Sequence, residues 1–162
     1  MEFVTDRTAR DVERWRTLRD KGWAGMTVQE RQEWLGEINT SPSAAKGMYT
    51  HNDLNRVESA VNALLARLRQ AGYKTPTLIT KTDWTYRDAL HIEDIERYYN
   101  NLAQLRECVV VYPNTPEAPT TIDRLNYKIA NDIEKLLADV DECSASLLQS
   151  WFYSGDLYMG EV

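Results

Sequence analysis

Three stretches of this chain place apolar residues every three or four positions, and that spacing restricts the fold more than any other feature. Between residues 50 and 71 the repeat is Leu54, Val57, Val61, Leu64 and Leu68, with steps of 3, 4, 3 and 4. Between 91 and 110 it is Ile92, Ile95, Tyr99, Leu102, Leu105 and Val109. Between 126 and 151 it is Ile129, Ile133, Leu136, Val140, Cys143, Leu147 and Trp151. A step averaging near 3.5 residues keeps one face of an α-helix apolar along its length. Each aliphatic side chain that such a face buries stabilises the fold by about 1.5–3 kcal/mol. Three such faces turned toward one another leave water together. The spacing predicts an all-α fold, with three long helices in an antiparallel bundle.

Shorter signals set the boundaries. Thr50, with Asp53 three residues on, opens the first long helix, and Gly72 is a suitable residue to end it. The second starts near His91, and the third starts between Thr121 and Asn126. The threonine-rich run 75–86 holds Pro76 and reads as extended, while 112–121 holds Pro113, Pro116 and Pro119 and cannot be helical throughout. Ahead of these, Ala9, Val12, Trp15 and Leu18 describe a helix capped by Thr5 or Asp6 and stopped at Gly22. Thr27 with Glu30 is a capping box for a second short helix carrying Trp34, Leu35 and Ile38. Residues 9–45 are thus read as a helical hairpin whose Trp15, Trp23 and Trp34 cap the bundle. Both termini are expected to be extended: Phe3-Val4 at one end, and a short strand over 152–158 at the other, with β pairing between them. The 162 residues amount to one domain's length.

The formal net charge is −6. Phosphate contacts need a lysine and arginine surplus, so nucleic acid is not an expected partner. A membrane partner is not expected either, because there is no apolar run of spanning length and no basic face for a lipid surface. The N-terminus lacks the apolar core of a secretory signal. Cys108 and Cys143 lie far apart within helical patterns and read as buried reduced thiols, with a bridge between them left open.

Reactive constellations are scarce. His51 and His91 each lack a second histidine four residues on, as a helical zinc site would require. Glu30/Glu33, Glu93/Glu96 and Asp139/Glu142 are spaced i, i+3, and such pairs from neighbouring helices can clamp Mg²⁺ in all-α nucleotide pyrophosphohydrolases. Here they flank the apolar faces, where charge normally meets water. No glycine-rich phosphate loop or nucleophile elbow is present. Trp84, Trp151 and Tyr153 are candidates for stacking on a sugar or for packing. No catalytic residue, metal ligand or cofactor is expected.

Four stretches bear a resemblance. Phe3-Val4-Thr5-Asp6-Arg7-Thr8, the run Tyr49 to Glu58 (YTHNDLNRVE), Lys81-Thr82-Asp83-Trp84 and the ending Tyr153 to Glu161 (YSGDLYMGE) together resemble a small domain found in prophage tail genes of Gram-positive bacteria. The resemblance runs in order along the whole chain, and its motifs carry no reactive group. It implies a tail-associated minor structural protein of the virion, made in the host cytoplasm and binding other tail proteins or itself. Relative to shorter members, the charged stretch 9–45 is an insertion. Phe152, Tyr153, Leu157, Tyr158, Met159 and Trp84 are the expected partner-binding residues. The enzyme and carbohydrate-binding readings stand as alternatives.

Overall fold

The computed structural model describes residues 1–39, 46–120 and 125–156, and at 36–39 and 151–156 the backbone alone. Among them are five α-helices and no strand: α1 (Ala9–Gly25), α2 (Val28–Asn39), α3 (His51–Gln70), α4 (Ile92–Arg106) and α5 (Tyr127–Asp156). The all-α class is as the apolar spacing predicts.

One local device starts most of these helices. An acid in the first turn reaches back to the capping residue's own backbone N–H. Thr8 N donates to Asp11 Oδ2 at 2.8 Å, Thr27 N to Glu30 Oε2 at 2.8 Å, Thr50 N to Asp53 Oδ2 at 2.8 Å and His91 N to Asp94 Oδ2 at 3.2 Å. The first cap is therefore Thr8 and not Thr5 or Asp6. Only Thr8 has an acid three residues on that completes the box. Gly22, at φ 63°, kinks α1 but does not stop it as expected, since the helix runs on to Gly25; Gly72, at φ 79°, follows the end of α3 as expected.

Helices α3, α4 and α5 contact one another pairwise around one core. Leu64, Leu102, Leu105, Ile133, Leu136, Leu137 and Val140 are sealed from water at its centre. Their directions differ from the expectation. Arg56 Nη2 reaches Glu134, and further along α3 Arg67 Nη1 reaches Asp141 and Ser144. Rising numbers on α3 therefore meet rising numbers on α5, so the two run the same way and are not antiparallel. The connections make this arrangement workable. Ten extended residues cover roughly 33 Å, and α3, at 20 residues, is about 30 Å long.

Residues 75–84 retrace α3 in reverse. Arg69 Nε donates to Thr75 Oγ1 at 2.6 Å, Asn62 Nδ2 to Thr80 Oγ1 at 2.8 Å, Lys81 N to Glu58 Oε2 at 2.6 Å and Trp84 N to Asn55 Oδ1 at 2.7 Å. The proline-bearing return after α4 is held in the same manner. Arg106 Nε donates to Pro116 O at 3.0 Å, and Thr115 Oγ1 to Asp139 Oδ2 at 2.7 Å. The N-terminal segment is extended, as expected, and among the described residues it pairs with side chains of α5. The strand expected over 152–158 is absent from 152–156, where α5 continues through Gly155 to Asp156. Extending a formed helix adds one hydrogen bond per residue, and a single glycine costs only about 1 kcal/mol. Residues 157–162 lie outside the described residues.

The α1–α2 pair has a small core of its own, with Trp15, Leu18 and Met26 buried against Trp34 and Met48. The Trp15 and Trp34 rings are 4.7 Å apart and tilted by 52°. Trp23 does not join them. It is 51% exposed, with the Arg31 guanidinium 5.3 Å from its ring centre. Gly22 turns the chain just before Trp23 and takes it off the apolar face. Cys108 and Cys143 are free and half-buried, without the full burial expected of them. Burial pushes the Cys108 thiol upward.

Two expectations concern this hairpin. A Cβ at Gly47 would collide with the Trp15 ring and with the Asp11 carbonyl. Gly47→Ala should therefore destabilise the docking of α1 by about 1–3 kcal/mol, read as a lowered melting temperature and a red-shifted tryptophan emission. Separately, Lys21 Nζ at 2.5 Å, together with the Thr27 amide, holds the Glu30 carboxyl at about 2 against an ordinary 4.5. A depressed acid stabilises the fold fully above its unfolded value and loses that contribution as pH falls through its folded value. Tryptophan emission should thus begin to change as pH drops from 4.5 toward 2, and Glu30→Gln should remove that part of the acid limb.

Candidate functional site

The chemically richest region is internal. Arg7 comes from the extended N-terminus and projects between α3 and α5, its side chain 2% exposed. Its Nη2 donates to Asp53 Oδ1 at 3.0 Å and to Glu134 Oε1 at 3.2 Å, and its Nη1 to Val4 O at 2.5 Å. Arg56 Nη2 donates to the same two carboxylates, at 2.7 Å to Asp53. Glu134 Oε2 also accepts the Val4 amide at 3.2 Å. On the next turn of α5, Asn131 clasps the Arg7 backbone, accepting from its N at 3.0 Å and donating to its O at 2.8 Å. Two guanidiniums and two carboxylates balance in charge, which is the condition for burying them at tolerable cost. Among the described residues, Arg7 Nε and Arg56 Nε and Nη1 meet no protein acceptor.

Tyrosines close one side. The Tyr49 ring lies 5.7 Å from the Arg7 guanidinium, and its hydroxyl is 2.5 Å from that of Tyr98. Burial pushes both phenols well above their ordinary range. Their hydroxyls hydrogen-bond to each other.

A second cluster surrounds Glu58 on α3. Its carboxylate accepts from the Lys81 amide, from Trp84 Nε1 at 3.2 Å and from both terminal nitrogens of Arg97, at 2.6 and 3.0 Å. Asn55 grips the Trp84 backbone at both its N and its O, the latter at 2.9 Å. Between these two clusters lies an apolar cavity of about 60 Å³, walled mainly by Leu54, Trp84, Ile95, Tyr98 and Tyr99, with Leu90 at its mouth.

The residues singled out from sequence are dispersed. Glu30 pairs with Lys21, and Glu33 pairs with Arg14 at 2.7 Å. Asp139 turns inward to Thr115 and Lys135, while Glu93, Glu96 and Glu142 are exposed. Among the described residues no three histidines, cysteines or acids come together as metal ligands. His51 lies in the first turn of α3, and His91 caps α4. Trp84 is 4% exposed, with the Lys81 ammonium 3.9 Å from its ring centre, so it offers no open face to a sugar or a partner. Phe152 and Tyr153 lie on the helical backbone of α5, and Leu157, Tyr158 and Met159 lie outside the described residues.

Sequence reasoning passed over Arg7, Glu58, Arg97 and Glu134. A signal for the two acids was present. Glu58 has Leu54 and Val61 at i−4 and i+3, and Glu134 has Ala130 and Leu137 at those positions. An acid flanked by apolar residues on its own helix face must be paired or shift its titration. No helix of the described residues is long and apolar enough to cross a membrane. Comparison of the chain with protein-family models, curated proteins and solved structures found no match.

Removing one member of the Arg7 network leaves a charge buried without its partner. Arg7→Met and Glu134→Gln should each destabilise by about 3–5 kcal/mol. The measurement is the urea midpoint at unchanged slope, and a loss under about 1 kcal/mol would refute the tie.

Proposed function

We propose that this chain is a non-enzymatic structural or adaptor protein of a phage or prophage tail, acting through contacts with other tail proteins and with itself. One observation carries the reading. The acids that reach the interior from separate helices point at arginines and backbone amides, so their charge fastens chain segments together. Asp53 and Glu134 hold Arg7 and Arg56, and Glu58 holds Arg97, Trp84 and the Lys81 amide.

The resemblance to tail-associated domains agrees with this. Three of its four stretches meet in these two clusters: Arg7 from the first, Tyr49, Asp53, Arg56 and Glu58 from the second, and Lys81 and Trp84 from the third. The shared signature is then a set of fasteners for the N-terminus and the first return segment. A protein that must keep its shape among many copies has use for such fasteners. The place of action is the virion tail, after synthesis in the host cytoplasm.

Quantitative mass spectrometry of purified tails tests the reading. The chain should appear in a fixed ratio to the other tail proteins, and its absence would overturn the proposal. A Mg²⁺ titration of the melting temperature separates the rival class. A site saturated a hundredfold above its dissociation constant adds about 2.7 kcal/mol. No shift is expected, whereas a shift with pyrophosphate release from nucleoside triphosphates would make the chain a hydrolase.

A further inference from the structure

The apolar cavity and the described end of α5 at Asp156 sit at opposite ends of the helical core. The cavity, about 60 Å³, touches Leu125, just ahead of α5. Its mouth at Leu90 is 43% exposed, and the neighbouring Ile92 and Tyr86 are 60% and 73% exposed. Tyr86 is engaged by the Arg87 guanidinium, so Leu90 and Ile92 are the bare apolar side chains here, and Leu90 itself lines the hole. Two acids line the hole, and both are engaged: Glu58 by Arg97 and Trp84, and Asp94 by the His91 amide and Arg97. Its volume suits the end of one aliphatic or thioether side chain and is too small for an aromatic ring.

At the far end, α5 outruns its neighbours. Arg67, three residues before the end of α3, is level with Asp141 and Ser144. The end of α3 is therefore level with a point near residue 147. From there α5 continues to Asp156, a projection of roughly 13 Å at 1.5 Å per residue. Burial falls away along it: Ser144 is buried, Leu147 and Leu148 are half-buried, and Gln149 and Ser150 are exposed. Leu157, Tyr158 and Met159 follow in sequence.

We propose that the cavity beside Leu90 receives Leu157 or Met159 of a second copy of this chain, joining copies head to tail. The inference rests on the assembly reading above and names one partner within it. Distance selects the second copy over the first. The 30 residues of α5 separate the two ends by about 45 Å. Met159 stands three residues past Asp156, a reach of about 10 Å. A chain's own Leu157 and Met159 cannot enter its own cavity, whereas a copy stacked on the mouth can deliver them. The two surfaces are different, so the contact is heterologous and repeats into a ring or a filament. Strong contact centres sit in well-packed pockets shielded from water, and this cavity offers such a pocket.

Sedimentation equilibrium across a concentration series tests this with three proteins. They are the full chain, a tail variant with Leu157→Asp and Met159→Asp, and a mouth variant with Leu90→Glu. Leu90 is 43% exposed and outside the buried core, and helical circular dichroism checks that each variant folds. The full chain should associate progressively, and each variant alone should do so about tenfold more weakly or not at all. An equimolar mixture of the two variants should form a one-to-one pair and grow no further, because only one intact tail and one intact cavity meet. A full chain that stays monomeric, a variant that associates like the full chain, or a mixture that stays monomeric would each overturn the inference. The chain's presence in purified tails would then still support the assembly reading, so the two fail separately.

Discussion

The tie between Arg7, Asp53, Arg56 and Glu134 is the constraint from which the rest of the arrangement follows. It joins three pieces of chain far apart in sequence, the extended N-terminus, α3 and α5, at one buried point. Burying two acids and two bases brings little net stability compared with an apolar core of equal volume. It brings register instead. Leucines can slide past one another by a turn with modest loss, but a carboxylate with no guanidinium opposite it cannot be accommodated. The network thereby selects one alignment of α3 against α5 and places the N-terminal segment between them.

Same-direction packing of α3 and α5 creates a second requirement. Each helix must be followed by a return path of its own length, and that path has backbone groups needing partners but no sheet to join. Asparagine side chains on the helices meet this need. A carboxamide presents an oxygen acceptor beside an NH₂ donor, so one side chain can meet both the N–H and the C=O of a single residue. Asn55 clasps Trp84 and Asn131 clasps Arg7 at both backbone positions, and Asn101 donates to Ile79 O at 2.8 Å. Extended segments are thus held against helices one residue at a time. This explains how a chain with long threonine- and proline-rich connections has no strand among its described residues.

The candidate site was less legible than the helices. Glu58 and Glu134 sat in view as acids on apolar faces, yet their meaning depended on Arg97, Arg7 and Arg56. Nothing in the spacing of those arginines pairs them with a given acid. The i, i+3 carboxylate pairs drew attention because local spacing is what a sequence displays. The acids that matter find distant partners 23 to 130 positions away, as with Glu58 and Lys81, Arg7 and Asp53, or Val4 and Glu134. Trp84 shows the same limit, since whether an indole faces water or a carboxylate is decided by the helix opposite.

Apolar periodicity, capping acids and Gly72 determined by themselves the all-α class of the described residues, where α2, α3 and α4 begin and where α3 ends. These are short-range effects, settled within one or two turns of backbone. The direction of α3 against α5, the inward turn of Glu58 and Glu134, the outward turn of Trp23 and the helical continuation of α5 through Gly155 were decided only in the tertiary structure. Each depends on which distant segment supplies the opposing charge, ring or backbone group, and that choice is made by the packed chain as a whole.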